Sequence, residues 1–170
     1  MPTTFATLQV GSTGAAVRDL QQDLTVLKYY TGAIDSVFGA KMKDAVVKFQ
    51  QQSAVKVDGI VGYETEAAIE RQVWVLKRPV LKQGSTGQEV KNLQNLLKED
   101  LEIAHSDSSF TNIDGIFGSN TKAAVIKFQK DRHLAGDGVV GAVTWMELSY
   151  VKSYDMSPEQ IVLNGIFTNV

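Results

Sequence analysis

The sequence predicts an all-α protein that consists of two tandem small three-helix bundles followed by a short C-terminal helix. Two observations indicate this fold class. Most of the 170 residues form two similar copies of one sequence. Each copy contains three segments in which apolar residues recur every three or four positions, the spacing of an amphipathic helix. We place the first repeat at residues 1–76, the second at residues 77–150 and a C-terminal extension at residues 151–170.

The two copies align over most of their length. Residues 8–24 read LQVGSTGAAVRDLQQDL and residues 81–97 read LKQGSTGQEVKNLQNLL. The second copy then carries six additional residues, within EDLEIAHSDSSFTN, and residues 34–69 align without a gap on residues 113–148. A tandem duplication of this kind predicts two structural units with the same fold.

The apolar spacing predicts the same three helices in each copy. Their core positions are Val17, Leu20, Leu24 and Leu27 for the first helix, Met42, Ala45, Val46 and Phe49 for the second, and Thr65, Ala68 and Ile69 for a short third helix. The second copy has Val90, Leu93 and Leu97, then Thr121, Ala124, Val125 and Phe128, then Thr144, Glu147 and Leu148. Because Glu147 interrupts the apolar frame, we expect Trp145 to help cover the core. Ser12 or Thr13, and Ser85 or Thr86, are the expected N-caps of the first helices.

The chain continues differently after each third helix. Pro79 is expected to stop the helix that precedes it, because the residue before a proline avoids helical geometry. In the C-terminal extension, Ser157, Pro158 and Gly165 have the pattern of an N-cap, a first helical residue and a terminator. This pattern predicts one short helix.

A shorter motif recurs four times within the duplication. It reads Asp, a small residue, two apolar residues and Gly, and it precedes a helix each time, beginning at Asp35, Asp58, Asp114 and Asp137. An aspartate at such a position can accept hydrogen bonds from its own turn and from the following helix. We expect Gly59, Gly115 and Gly138 to adopt positive φ, with Ser36 taking that position at a conformational cost. The glycines that end the motif, Gly39, Gly62, Gly118 and Gly141, are expected to let each helix start close against its neighbour.

Glutamines and phenylalanines accompany the motif. Phe38, Phe49, Phe117 and Phe128 are expected in the core between the helices, although an aromatic ring at the mouth of a groove also suits a sugar face. Gln21, Gln50, Gln94 and Gln129 each follow a core residue directly. Two roles remain open for these amides: hydrogen bonding to a loop, or contact with a ligand.

The composition excludes several classes of function. The formal net charge is −2 and no block of basic residues occurs, which argues against nucleic acid as a partner. The chain has no cysteine, which excludes a thiol nucleophile, a disulfide framework and a thiolate metal site. No signal peptide and no membrane span are expected from the sequence.

Specific catalytic and metal motifs are also missing. The turn at Asp114 lacks the oxygen ligands and the glutamate of a calcium loop, and GIFGSN lacks the residues of a phosphate loop. His105 and His133 lie in different segments, so neither a zinc site nor a serine triad is expected. We expect no cofactor.

The combined pattern resembles a known family. GSTGxxVxxLQxxL, then IDGIFGSNTKAAVIKFQ, then DGVVGAVTW is similar to the bacterial peptidoglycan-binding domain of the three-helix type, in both copies but not in the C-terminal extension. The resemblance implies a non-catalytic module that targets or anchors an associated activity to the cell wall. Its implied ligand is peptidoglycan, the glycan with its stem peptide, and its implied partner is a wall hydrolase or an assembly protein. The implied location is the cell wall or the periplasmic or extracellular space, with the cytoplasm left open by the expected lack of a signal peptide.

The resemblance also implies ligand-binding residues in a shallow cleft between the helices and the Asp-Gly turns. By position these are Gln94, Asp114, Phe117, Asn120 and Thr121 in the second copy, and Gln21, Tyr30, Asp35, Phe38 and Lys41 in the first. The first copy departs from the pattern at Ser36 and Met42, so we expect the second copy to be nearer to the family.

Two other functions remain as alternatives. The fold could serve as a scaffold for protein interaction, for example in a phage-like or secretion assembly. A complete wall hydrolase is not expected, since the residues outside the repeats are too few to form a catalytic domain.

Overall fold

The computed structural model describes residues 7–105, 110 and 113–151, and within these residues the protein is all-α. The helices are α1 (Ala15–Val26), α2 (Ala40–Gln52), α3 (Tyr63–Leu76), α4 (Gln88–His105), α5 (Ser119–Asp131) and α6 (Ala142–Val151). The described chain divides into two compact units, with the boundary between Trp74 and Val75. Each repeat therefore contributes three helices, as the sequence predicts.

Short backbone pairings connect the segment before each first helix to the turns that follow. They are isolated antiparallel bridges, Leu8 with Val61 and Thr13 with Val37 in the first unit, and Leu81 with Val140 and Thr86 with Ile116 in the second. Leu8 and Val61, for example, exchange two hydrogen bonds of 3.0 and 2.8 Å. These bridges hold the loops on one side of each unit in a fixed register with the core.

The core of each unit is built from the predicted apolar positions. In the first unit Leu24, Phe38, Val46 and Phe49 are fully buried. Their counterparts in the second unit are at most 1% exposed; these are Leu97, Phe117, Val125 and Phe128. All four phenylalanines are therefore core residues, which confirms the first of the two roles considered for them. Burying an aromatic ring of this kind stabilises a small domain by about 2–3 kcal/mol.

Trp145 also lies in the core, as predicted from the interruption at Glu147. Its side chain is buried, and its indole Nε1 donates a hydrogen bond of 2.8 Å to the carbonyl oxygen of Pro79. The guanidinium of Arg78 lies 5.7 Å from the centre of the same ring. These contacts connect the segment after α3 to α6 within the second unit.

The predicted N-caps are wrong. Gly14 is the N-cap of α1 and makes no side-chain capping bond. The hydroxyl oxygens of Ser12 and Ser85 accept hydrogen bonds from the backbone N–H groups of Gln9 and Lys82, three residues earlier. Ser12 and Ser85 do not cap the helices because their hydroxyl groups close a turn that precedes each helix.

The third helix of the first repeat is longer than predicted, since α3 has 14 residues and ends only at Leu76. Its buried face continues beyond Ile69 to Val73. The helix ends three residues before Pro79, in agreement with the expected stop.

The predicted role of the glycines that end each motif is also wrong. A Cβ atom added at Gly39, Gly62, Gly118 or Gly141 would have no atom within 4 Å. These glycines therefore do not permit a close approach to a neighbouring helix. Gly39 and Gly118 are the extended N-caps of α2 and α5, a position where glycine is tolerated well.

The predicted C-terminal helix at Ser157 to Gly165 lies outside the described residues. Over the described part of the chain, no helix combines the length and apolar character that crossing a membrane requires.

Candidate functional site

The four Asp motifs are each held by one buried glutamine. We call each arrangement a glutamine clamp: a helical glutamine whose side-chain amide bonds the backbone and the aspartate of one turn. The four clamps are Gln21 with residues 35–37, Gln50 with residues 58–60, Gln94 with residues 114–116, and Gln129 with residues 137–139. All four glutamines are at most 2% exposed. Hydrogen bonding to a loop, one of the two roles left open by the sequence, is thus established for every one of them.

The clamp of Gln94 shows the full geometry. Its Nε2 donates to Asp114 Oδ1 at 2.9 Å, to the carbonyl oxygen of Ile116 at 3.1 Å and to Thr121 Oγ1 at 3.1 Å. Its Oε1 accepts from the backbone N–H of Gly115 at 2.9 Å. Because a backbone N–H can only donate, this contact fixes which amide atom is the oxygen. One side chain from α4 therefore satisfies the buried polar groups of the turn.

The aspartate closes the turn from its other side. Asp114 Oδ1 accepts the N–H of Ile116 at 2.8 Å, and Asp35, Asp58 and Asp137 accept the N–H two residues later in the same way. This is the local side-chain-to-backbone bond that favours aspartate in turns. The predicted bond of each aspartate to its own turn is confirmed.

These hydrogen bonds stabilise the charged form of the carboxylates. The pKa of Asp35 lies below its ordinary value, chiefly because the amide of Gln21 donates to it. The pKa of Asp137 is lowered chiefly by the N–H of Val139 and then by Gln129, and that of Asp58 chiefly by the N–H of Ile60. These three turns therefore carry negative charge at neutral pH.

The residue after each aspartate has the left-handed conformation. Gly59, Gly115 and Gly138 have φ of 72°, 76° and 71°, and Ser36 has φ of 62°. The prediction of positive φ is confirmed at all four positions, and the conformational cost at Ser36 stays a prediction. A second reason for glycine is that a lysine stem covers it: a Cβ on Gly59 would lie 2.9 Å from Cγ of Lys43.

The first clamp differs because Met42 stands where the other three have a threonine. In the other clamps that threonine, Thr65, Thr121 or Thr144, accepts a hydrogen bond from the glutamine Nε2. In the first clamp the hydroxyl of Tyr30 takes this place, accepting from Gln21 Nε2 at 3.4 Å and donating to Ala33 O at 2.9 Å. Gly32 allows this arrangement, since a Cβ there would lie 2.4 Å from the tyrosine oxygen.

The ten candidate ligand-binding residues lie together at the first and third clamps but differ in exposure. Buried side chains are those of Gln21, Tyr30, Phe38, Gln94, Phe117 and Thr121; exposed side chains are those of Asp35, Lys41, Asp114 and Asn120. The buried set holds the turn and the exposed set faces solvent beside it.

Two exposed apolar side chains at these turns were not among the sequence-based candidates. Val37 is 46% exposed and Ile116 is 54% exposed, and each lies two residues after its aspartate. The available signal was that the motif has an apolar residue at this position in all four occurrences, which the structure leaves exposed at Val37 and Ile116 and half-buried at Ile60 and Val139. In the described residues no group of His, Asp or Glu side chains has the arrangement of a metal site.

Comparison with known sequences identifies the family. The sequence model of the peptidoglycan binding domain matches residues 13–69 and 86–148, which together make up more than half of the chain and include all four clamps. The chain belongs to the peptidoglycan binding domain family. It contains this domain in two tandem copies, in agreement with the resemblance read from the sequence.

Two of the curated relatives are longer proteins that this chain matches only in part. The N-acetylmuramoyl-L-alanine amidase CwlM of Mycobacterium tuberculosis is 31% identical over 165 residues, which span 86% of this chain and 38% of the relative. The spore cortex-lytic enzyme of Bacillus subtilis is 43% identical over 63 residues, 36% of this chain and 21% of the relative. The chain thus spans well under half of the length of these two relatives. Among solved structures, the SleB N-terminal domain is 31% identical, covers 41% of this chain and has a TM-score of 0.40.

Proposed function

We propose that the protein is a non-catalytic module that binds bacterial peptidoglycan and anchors an associated activity to the cell wall. The observation that carries this proposal is the family match, which includes both repeats and every clamp. Several relatives are named as amidases or cortex-lytic enzymes, and the matched region is a fraction of their length. A wall hydrolase is therefore the associated activity that we expect.

The exposed surface at the clamps suits a glycan ligand. Each of the two turns presents a carboxylate next to an apolar side chain, Asp35 with Val37 and Asp114 with Ile116. A carboxylate accepts hydrogen bonds from sugar hydroxyl and amide groups, while an apolar side chain packs on the carbon face of a sugar ring. The residues at the start of the following helices, Lys41 and Asn120, add further hydrogen-bonding groups beside each turn.

The buried candidates act through the turn. Gln94, Phe117 and Thr121 cannot touch a ligand directly because they are at most 3% exposed. They fix the backbone at residues 114–116, and this keeps Asp114 and Ile116 in place before a ligand arrives. A site held in advance loses less conformational entropy on binding.

The test is sedimentation of the intact protein with purified, insoluble sacculi. We expect retention of the wild type, and weaker retention of Asn120→Ala and Lys41→Ala, whose exposed side chains are not needed for folding. The control is Asn95→Ala, an exposed position of α4. Wild-type protein that stays in the supernatant with every sacculus preparation would contradict wall binding and favour the scaffold function instead.

A separate assay of sacculus lysis tests the proposal that the protein is not a catalyst. The pure protein is expected to leave the turbidity of a sacculus suspension unchanged, and no soluble muropeptides should be released. Release of muropeptides by the pure protein would show that it is a hydrolase.

A further inference from the structure

The first repeat has a polar pocket whose lining includes none of the residues of the clamps. The pocket has a volume of about 490 Å³, within the usual range for small-molecule sites, and lies where the ends of α1 and α2 meet. Its lining residues are Leu27, Lys28, Tyr29, Thr31, Lys48, Gln51 and Gln52. None of these belongs to the ten candidate residues at the turns.

The lining has the chemistry of a site for an acidic amino sugar or glycopeptide. Lys28 and Lys48 provide two ammonium groups, and the lining includes no carboxylate. Thr31, Gln51 and Gln52 provide hydroxyl and amide groups that both donate and accept hydrogen bonds. A ligand that combines one carboxylate with hydroxyl and amide groups would satisfy this set.

Tyr29 adds an ordered aromatic ring to the pocket. The ring meets Phe49 edge to face, with centres 5.3 Å apart, and its hydroxyl donates to Gln52 Oε1 at 2.9 Å. The ring is therefore held from both ends while it lines the pocket. An aromatic ring held in this way provides a surface for the apolar face of a sugar.

The end of α1 does not oppose an anion as strongly as a free helix C-terminus would. The carbonyl oxygen of Leu24 accepts the N–H groups of Tyr29 and Tyr30, at 2.8 and 3.0 Å, and that of Thr25 accepts the N–H of Lys28. These bonds satisfy carbonyl groups that would otherwise present negative charge at the helix end. Lys28 itself has φ of 65°, the left-handed conformation that such an ending requires.

The second repeat has a different arrangement at the same corner. Asp100 stands at the position of Leu27 and is buried, and it accepts a hydrogen bond of 2.5 Å from Arg132, whose guanidinium also lies 5.2 Å from the ring of Phe128. Leu101, at the position of Lys28, is buried as well. In the second repeat, Leu101 thus stands at the position of Lys28 and Lys127 at the position of Lys48. The second repeat also has a carboxylate at this corner, that of Asp100.

From these contacts we infer that the pocket at Lys28, Tyr29 and Lys48 is a second subsite, specific to the first repeat, for the carboxylate-bearing muramyl peptide part of peptidoglycan. The inference rests on the proposed function. It assigns the glycan to the turns and the acidic glycopeptide to the pocket, with the ammonium group of Lys48 on the ligand carboxylate.

The experiment is an NMR titration of the intact protein with N-acetylmuramoyl-L-alanyl-D-isoglutamine, which has one free carboxylate. The amide signals of Tyr29, Thr31 and Gln51 are expected to shift. Lys48→Glu should weaken binding about tenfold, as expected for loss of one charge-assisted hydrogen bond. The matched control is Lys127→Glu, the same change at the equivalent position of the second repeat, which should leave affinity within about twofold.

A second ligand tests whether binding depends on the charge of the carboxylate or only on the shape of the compound. The same compound with its carboxylate converted to an amide should bind the wild type about as weakly as the free acid binds Lys48→Glu. Equal binding of acid and amide, or equal affinity of the wild type, Lys48→Glu and the milder Lys48→Gln, would overturn the inference.

Sacculus sedimentation of the same wild-type preparation distinguishes the two proposals. Retention on sacculi together with no shift of the pocket signals would refute the pocket and leave wall binding intact. Failure in both assays would refute both.

Discussion

Gln94 and Asp114 are joined by a hydrogen bond of 2.9 Å, although one lies buried on α4 and the other lies exposed in a turn 20 residues later. The same pair of residue types makes the same bond at three other places in the chain. In each place the glutamine also bonds backbone atoms of the turn, so the helix determines the shape of the loop.

Removing the amide of Gln94 should destabilise the protein strongly. Gln94→Ala deletes four hydrogen bonds and leaves the buried N–H of Gly115 without its acceptor. We expect a loss of about 2–4 kcal/mol in the free energy of unfolding. Urea denaturation measures this loss, with Asn95→Ala, an exposed residue of the same helix, as the control. A loss below about 0.5 kcal/mol, the usual size of a surface change, would show that the clamp is not structurally important.

The two kinds of glycine in the motifs, those with positive φ and those that end the motif, should respond differently to alanine. At Gly59 the φ of 72° and the contact with Lys43 both oppose a Cβ, so Gly59→Ala should cost about 1–2 kcal/mol or more. At Gly39 the backbone is extended and the space is open, so Gly39→Ala should cost less than about 1 kcal/mol. Thermal denaturation of the two variants side by side tests the order, and the reverse order would contradict it.

The hydroxyl of Tyr30 should contribute to stability in the way that the clamp threonines do elsewhere. Tyr30→Phe keeps the buried ring but removes the bonds to Gln21 and Ala33. The expected loss is about 1 kcal/mol. Tyr29→Phe removes a hydroxyl whose bond is exposed and should change stability by less than about 0.5 kcal/mol. Equal effects in urea denaturation would mean that Tyr30 does not replace the threonine.

Stability should fall in acid because the clamp aspartates are bonded as carboxylates. The pKa of Asp137 in the folded protein is below its ordinary value of about 3.9 in an unfolded chain. Its contribution is therefore complete above about pH 4 and is lost as the pH falls through the lower pKa of the folded state. Melting temperatures between pH 7 and pH 2.5 should show this decrease, and Asp137→Asn should have a smaller one.

The control for this measurement is Asp44→Asn, an exposed residue of α2. The decrease of its melting temperature between pH 7 and pH 2.5 should be the same as that of the wild type. If Asp137→Asn lost as much stability in acid as the wild type does, the aspartate would not be the source of the pH dependence.

Within the described residues, the repeat and the apolar spacing were sufficient to predict the six helices and most of the core residues from Val17 to Leu148. Positive φ at Gly59, Gly115 and Gly138 followed from the turn motif alone. These features depend on local sequence and on burial, both of which leave a periodic pattern.

Other features depend on partners distant in sequence. The sequence did not predict that Ser12 bonds Gln9 instead of capping α1, because both roles use the same residue type. It also left the role of the glutamines open, since the turn atoms that they bond lie 8 to 22 residues away. The replacement of a threonine by Tyr30 required the actual distance between the two side chains.

The clamps have a consequence for how such a module can change over time. Besides the aspartate, each glutamine bonds main-chain atoms of its turn, and those atoms are the same whichever amino acid occupies the outward positions. Substitution at exposed side chains that make no bond within the turn can therefore alter what is recognised without altering the loop that presents it. Val37 and Ile116 are one example, since they are different exposed side chains at the same position of two turns with the same hydrogen bonds. The arrangement separates architectural from selective positions, and so it suits diversification after duplication.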